Sequence, residues 1–195
     1  MKRFLTFQNV VFGGAILLSF FLIILALGWY PIASVNGDLI SARHFRQYVD
    51  SALSYQATSF STYSASSTRL LAASQQSEAQ LGSVALDELI EHQLIFQGVE
   101  EKIQDSHVQL TKDKVANYRE QPELIGASRD LFRISPELFS NVLLEPEARR
   151  ELLRGRLFLD GVVLDEWLIE KRKSAKVRIF SPTYIWQEFQ VLVKP

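Results

Sequence analysis

The sequence predicts a mainly α protein: an N-terminal transmembrane helix, then a helical domain closed by a small antiparallel sheet made of an N-terminal hairpin and a C-terminal strand. Three observations predict it. Val10 to Tyr30 is an uncharged, apolar run of 21 residues. Asn36-Gly37 lies between apolar residues just after that run. From Phe45 to Leu168 the apolar residues recur mostly at the three- and four-residue spacing of helices.

A helix of that length, rising roughly 1.5 Å per residue, covers the hydrocarbon thickness of a bilayer. Lys2 and Arg3 precede the run, so the positive-inside tendency keeps residues 1–9 cytoplasmic and puts the chain beyond residue 30 outside. Trp29 and Tyr30 suit the outer interface. A cleaved signal peptide is the competing reading, with Ala26 and Gly28 as small residues, but its apolar region rarely exceeds about 15 residues. The segments expected are thus a cytoplasmic end (1–9), an anchor (10–30), an extracytoplasmic helical domain (31–182) and a tail (183–195).

Asn and Gly tolerate the positive φ that both centres of a type I′ turn require, so Ala33 to Val35 and Asp38 to Ile40 should pair. Ser41 can cap the helix that follows, whose face is Phe45, Tyr48, Val49, Ala52 and Leu53. Ser54 to Ser83 is rich in Ser, Ala, Thr and Gln with sparse apolar positions. It reads as a continuation of the helix or a loosely ordered helical arm. Gly82-Ser83 should end that segment and cap the next helix, Val84 to about Gln104, whose broad apolar set (Leu86, Leu89, Ile90, Leu94, Phe96, Val99, Ile103) marks it as the most buried. Thr111 should cap a helix from Lys112 to Glu120 that stops before Gln121-Pro122.

Glu123 to Ile134 allows a short helix or a loop. Ser135-Pro136-Glu137 is a helix start, with proline where its missing N–H is harmless. Glu145-Pro146 restarts the pattern, which runs to about Ala175, weakened at Gly155 and Gly161. Lys171, Arg172 and Lys173 then complement the negative end of the helix dipole. Lys176 to Phe180 alternates like a strand, and its best partner is the hairpin at Val35 to Ile40. Tyr184 to Pro195 adds a further strand or a mobile tail.

Net charge −1 and a pI near 6.3 give no footprint for nucleic acid. The absence of cysteine excludes disulfides and thiolate zinc sites. His44, His92 and His107 are dispersed and read as surface residues; no metal-ligand spacing, nucleophile elbow or phosphate loop accompanies them. The charge-rich stretches 100–102 and 147–154 read as solvated helix faces. No catalytic, cofactor or metal residue is expected, and no enzyme.

Val35-Asn36-Gly37-Asp38-Leu39-Ile40-Ser41 followed by Phe45, then Leu86-Asp87-Glu88-Leu89-Ile90 continuing to Leu94-Ile95, resemble the N-terminal module of SurA/PpiD-type extracytoplasmic chaperones. Val108 to Thr111 and the closing Trp167-Leu168 to Ala175-Lys176-Val177-Arg178-Ile179 are similar to it as well, so the resemblance spans about 33–120 and 147–182. Most of that family carries an inserted parvulin prolyl isomerase domain, and the gap from Glu120 to Pro146 is too short to hold one. The resemblance therefore implies a membrane-anchored chaperone that holds unfolded or newly translocated polypeptides without isomerase activity, ATP or metal. The alternative is a structural or adaptor subunit of an envelope complex. Phe60, Tyr63, Leu70, Leu71, Leu131, Phe132 and Phe139 lie in the less regular segments, where they either pack into the core or form an apolar client-binding surface.

Overall fold

The computed structural model describes residues 28–63 and 78–195, and over these the protein is mainly helical with small antiparallel sheets. The expected anchor, Val10 to Tyr30, lies outside the described residues except for 28–30. Among the described residues no helix is long and apolar enough to cross a membrane.

Strands β1 (Pro31–Val35) and β2 (Asp38–Ser41) form the hairpin, with φ of 56° at Asn36 and 106° at Gly37. Strand β3 (Val177–Ile179) pairs antiparallel with β1, Val35 opposite Val177 and Ala33 opposite Ile179. The sheet order is β2-β1-β3, so the two ends of the domain meet as the alternation in 176–180 predicts. Asn36 fastens this junction as well as turning the hairpin. Its backbone N–H donates to Lys176 O at 3.0 Å, its Oδ1 accepts from Lys176 N at 2.9 Å, and its Nδ2 donates to Gln97 Oε1 at 2.8 Å.

Helix α1 (Ala42–Tyr63) starts directly from β2. Its first amides, left without intrahelical acceptors, donate instead to Tyr30 O, Gly28 O and, from His44 at 3.2 Å, to the Ser41 hydroxyl. The helical continuation beyond Ser54 holds as far as Tyr63.

Helix α2 (Glu78–Ile103) is the spine. It begins six residues before the expected start, so Gly82 and Ser83 are interior rather than caps. The Ser83 hydroxyl bonds back to Gln80 O, and Gly82 is where the Tyr184 side chain comes too close for a Cβ. Leu86, Leu89, Ile90 and Leu94 pack against the hairpin, while Ile95 and Val99 pack against Leu153, Leu157, Leu164 and Leu168. This two-sided burial explains the breadth of its apolar set.

After a 3-10 turn (Gln104–Ser106), α3 (His107–Arg119) starts earlier than expected, and Thr111 is a buried residue in its middle rather than its cap. Helix α4 (Pro122–Asp130) resolves the helix-or-loop choice for 123–134 as a helix. Ser135 caps α5 (Pro136–Phe139) as predicted, its hydroxyl accepting from Leu138 N at 3.1 Å. A π-helical turn (Ser140–Leu144) leads into α6 (Glu145–Leu159).

The single helix expected from Glu145 to Ala175 is two, α6 and α7 (Leu164–Ser174). Gly161, at φ 74°, ends the first: its N–H donates to Phe158 O and that of Val162 to Leu157 O, the paired bonds of a Schellman stop. The basic cluster lies in the last turn of α7, as expected, and two of its members do more than face the dipole: Lys171 pairs with Glu101 and Arg172 with Asp87 and Glu91 across to α2.

Of the two alternatives for the last residues, a further strand or a mobile tail, the structure has strand, and two of them: a second hairpin of β4 (Tyr184–Gln187) with β5 (Gln190–Val193). Tyr184 and Val191 join the same buried cluster as the first hairpin. Its turn places Glu188 and Phe189 at φ 52° and 62°, which costs non-glycine residues on the order of 1 kcal/mol each. Arg172 and Asp87 hold that turn: Arg172 Nη1 donates to Phe189 O at 3.2 Å and Asp87 Oδ1 accepts from Val191 N at 3.1 Å.

Candidate apolar clefts and the His92 junction

Alternating Ser, Ala and aromatic residues give α1 a face of small and ring side chains. On that face Tyr55 stacks on Phe132 with ring centres 5.0 Å apart, and Phe132 meets Phe139 at 5.3 Å. The chain reverses at Arg133 in the left-handed region (φ 53°), with Phe132 N bonded back to Ala127 O. That reversal sets Phe132 between α1 and α5.

Two apolar clefts flank this aromatic pair. The first, about 440 Å³, is lined chiefly by Tyr118, Leu124, Ile125, Pro136, Phe139 and Leu144, with Arg119, Ser128 and Glu137 as its polar members. The second, about 380 Å³, is lined by Tyr48, Ser51, Ala52, Tyr55, Leu81, Phe132, Val142 and Leu143. Both fall within the usual volume range of ligand sites.

Of the expected client-binding residues, the structure brings Phe132 and Phe139 together. Phe139 is buried at 5 % exposure, so it is a wall rather than an exposed contact; Phe132 is half-buried, and Leu131 is exposed beside the clefts. Phe60 and Tyr63 belong to α1, but their side chains, like Leu70 and Leu71 entirely, lie outside what is described. Sequence reasoning missed Tyr55, Leu124 and Ile125. Tyr55 carries on the Tyr48–Ala52 stripe by one more turn. Leu124-Ile125 follows a proline at the first position of a helix, so both were legible as a helix face.

A polar junction sits between α1, α2 and α6. His92 is largely buried, contrary to the surface reading: its ring lies edge-on to Tyr48 at 5.8 Å, Nε2 is 4.0 Å from Glu88 Oε1, and the buried Nδ1 has no hydrogen-bond partner among the described residues. Burial, then the charge of Arg150, pushes its pKa down to about 4. His44 is shifted the same way by burial and Arg149. Burial alone would raise Glu91, but hydrogen bonds from Arg172 and Arg150 hold it below the usual carboxylate range. The charge-rich stretch 147–154 is thus partly tertiary: Arg150 reaches Glu91 at 2.6 Å and Glu151 pairs with Lys114. Among the described residues no group of three or more His, Asp or Glu could hold a metal ion.

No family model matches the chain, and no curated protein or solved structure matches it significantly.

Proposed function

We propose that the protein is a membrane-anchored, extracytoplasmic holding chaperone of SurA/PpiD type that lacks an isomerase domain. On this reading Val10 to Tyr30 is the anchor, and unfolded or newly translocated segments are held in the two clefts around Phe132 and Phe139. The observation that carries it is the pair of clefts, each lined mostly by aliphatic and aromatic side chains. A client that has not yet folded exposes the apolar side chains its native core would bury, and its ordering cost keeps affinities weak, in the micromolar range or worse. The junction of hairpin and closing strand supports the family resemblance independently of the clefts.

The full chain in lipid nanodiscs should slow aggregation of an unfolded model protein. Tyr55→Asp and Ile125→Asp, at partly exposed positions on separate clefts, should each lower that protection several-fold while the fold persists. No protection at several-fold molar excess would remove the proposal.

A second reading, a subunit that holds one folded envelope partner, is favoured by the turn between α6 and α7. Phe158 and Leu159 are exposed there at 79 % and 76 %, with Val163 beside them. An exposed apolar patch of this kind marks an interaction site, and it lies on a turn outside both clefts.

A further inference from the structure

The first cleft contains one feature that a purely apolar groove does not need. Arg119 stands at its lip, exposed to solvent. Its Nε and Nη2 donate to the Ser140 hydroxyl at 3.2 and 2.9 Å, and Ser140 is itself buried. Among the described residues no carboxylate pairs with Arg119, a trait it shares with other exposed arginines such as Arg43 and Arg178; what sets it apart is that it lines a cleft and is held there by a buried hydroxyl. A guanidinium carries five N–H donors in a fixed plane. With its Nε side tied to Ser140, the outer Nη1–Nη2 edge is left for a planar anion, the geometry in which arginine takes a carboxylate through two parallel bonds.

Resting on the proposed function, we infer that this cleft receives the carboxyl-terminal residue of a client polypeptide: the main-chain carboxylate on Arg119, its apolar side chain among Leu124, Ile125 and Phe139. The occupant follows from the juxtaposition. A carboxylate one bond from the carbon bearing an apolar side chain spans the step from the charged lip to the apolar wall. Glu137 lines the same cleft; its charge works against any carboxylate there, so the anion must sit on the Arg119 side and a second acidic group is disfavoured. A terminal residue is also the part of an unfolded chain that can enter a half-open cleft without threading.

The test is fluorescence polarisation with the full chain in nanodiscs and a labelled hexapeptide ending in Phe, made as the free acid and as the carboxamide. The free acid should bind about tenfold tighter or more. Arg119→Gln should bring it to the level of the amide without changing the amide's affinity, and Arg119→Lys should keep part of the preference. Equal binding of acid and amide to the native protein would overturn this inference and leave the chaperone reading standing. Binding of neither would remove both. An amide bearing an internal Glu that binds as tightly as the free acid would show a site for any carboxylate, which also overturns the assignment. So would decanoate displacing the free acid more strongly than unlabelled peptide does, because the site would then be one for fatty acids. Should Arg119→Gln lose both peptides, Arg119→Lys decides: retained preference supports the inference, loss of both overturns it.

Discussion

Acidifying the protein from pH 7 to pH 5 is expected to remove about 2 kcal/mol of folding stability, and His92→Leu to abolish most of that loss. The folded chain holds His92 at a pKa of about 4, whereas an unfolded histidine titrates near 6.5. The unfolded state therefore binds the proton first. Stability is intact above pH 6.5, falls as the pH drops below it, and levels off near pH 4 after a loss of about 3 kcal/mol. The groups facing His92 are Tyr48 and His44 from α1, Glu88 and Glu91 from α2, and Arg149 and Arg150 from α6. His44, shifted in the same direction, adds to the loss. The lowered carboxylates Glu91, Glu101 and Glu151 lose their contributions only at lower pH, and Glu88, raised by burial, acts with the opposite sign. Urea denaturation followed by Trp167 and Trp186 fluorescence at pH 7 and pH 5 measures this. A flat profile in the native protein, or the same drop in His92→Leu, would contradict it.

Arg172→Ala should destabilise the fold by about 3 kcal/mol, within the range for removing one member of a buried ionic cluster and below its upper end because the cluster is only partly buried. Arg172 donates to both Asp87 oxygens at 3.1 and 3.0 Å, to Glu91 at 2.7 Å and to Phe189 O. Its removal leaves two carboxylates near each other with only Arg150 to offset them. It also frees the turn at Glu188 and Phe189, whose strained backbone persists only while the surroundings over-determine it. The result should be uneven: the Val191 amide, which donates to Asp87, should exchange with deuterium far faster, while amides of β1 slow or speed only with global stability. Uniform acceleration across the protein would show that the cluster supports the whole fold and does not pin the second hairpin.

What the sequence made legible was local chemistry with a strong steric requirement. Asn36-Gly37 could hardly do anything but turn, Ser135-Pro136 could only start a helix, and the alternation in 176–180 required a neighbouring strand. The errors arose where tertiary contacts overrode local signals. Gly82-Ser83 looks like a helix boundary, yet the glycine is there because Tyr184 packs against it. Gly161 looks like a weak point within one helix and is a stop between two. The signal was Val162, an apolar residue just past the glycine, as the Schellman motif favours. The tail became a hairpin because Asp87 and Arg172, 85 residues apart, supply bonds that its own Glu188-Phe189 turn lacks. The clefts are half visible: Phe132 and Phe139 stand out by their irregular surroundings, but nothing local pairs them with Tyr55 or with Arg119 and its buried partner Ser140. His92 was misplaced because a lone histidine on a helix face has the same pattern whether the face is covered or not.

The central claim, that the clefts around Phe132 and Phe139 hold many unfolded chains, is tested most directly by photo-cross-linking in native membranes. A photoreactive phenylalanine analogue would replace Tyr55 or Ile125 in the full chain. The account predicts a heterogeneous smear of cross-linked polypeptides from both positions, increasing when protein folding in the envelope is stressed. A single stoichiometric band, unchanged by stress, would contradict it and identify the protein as the fixed subunit of one complex.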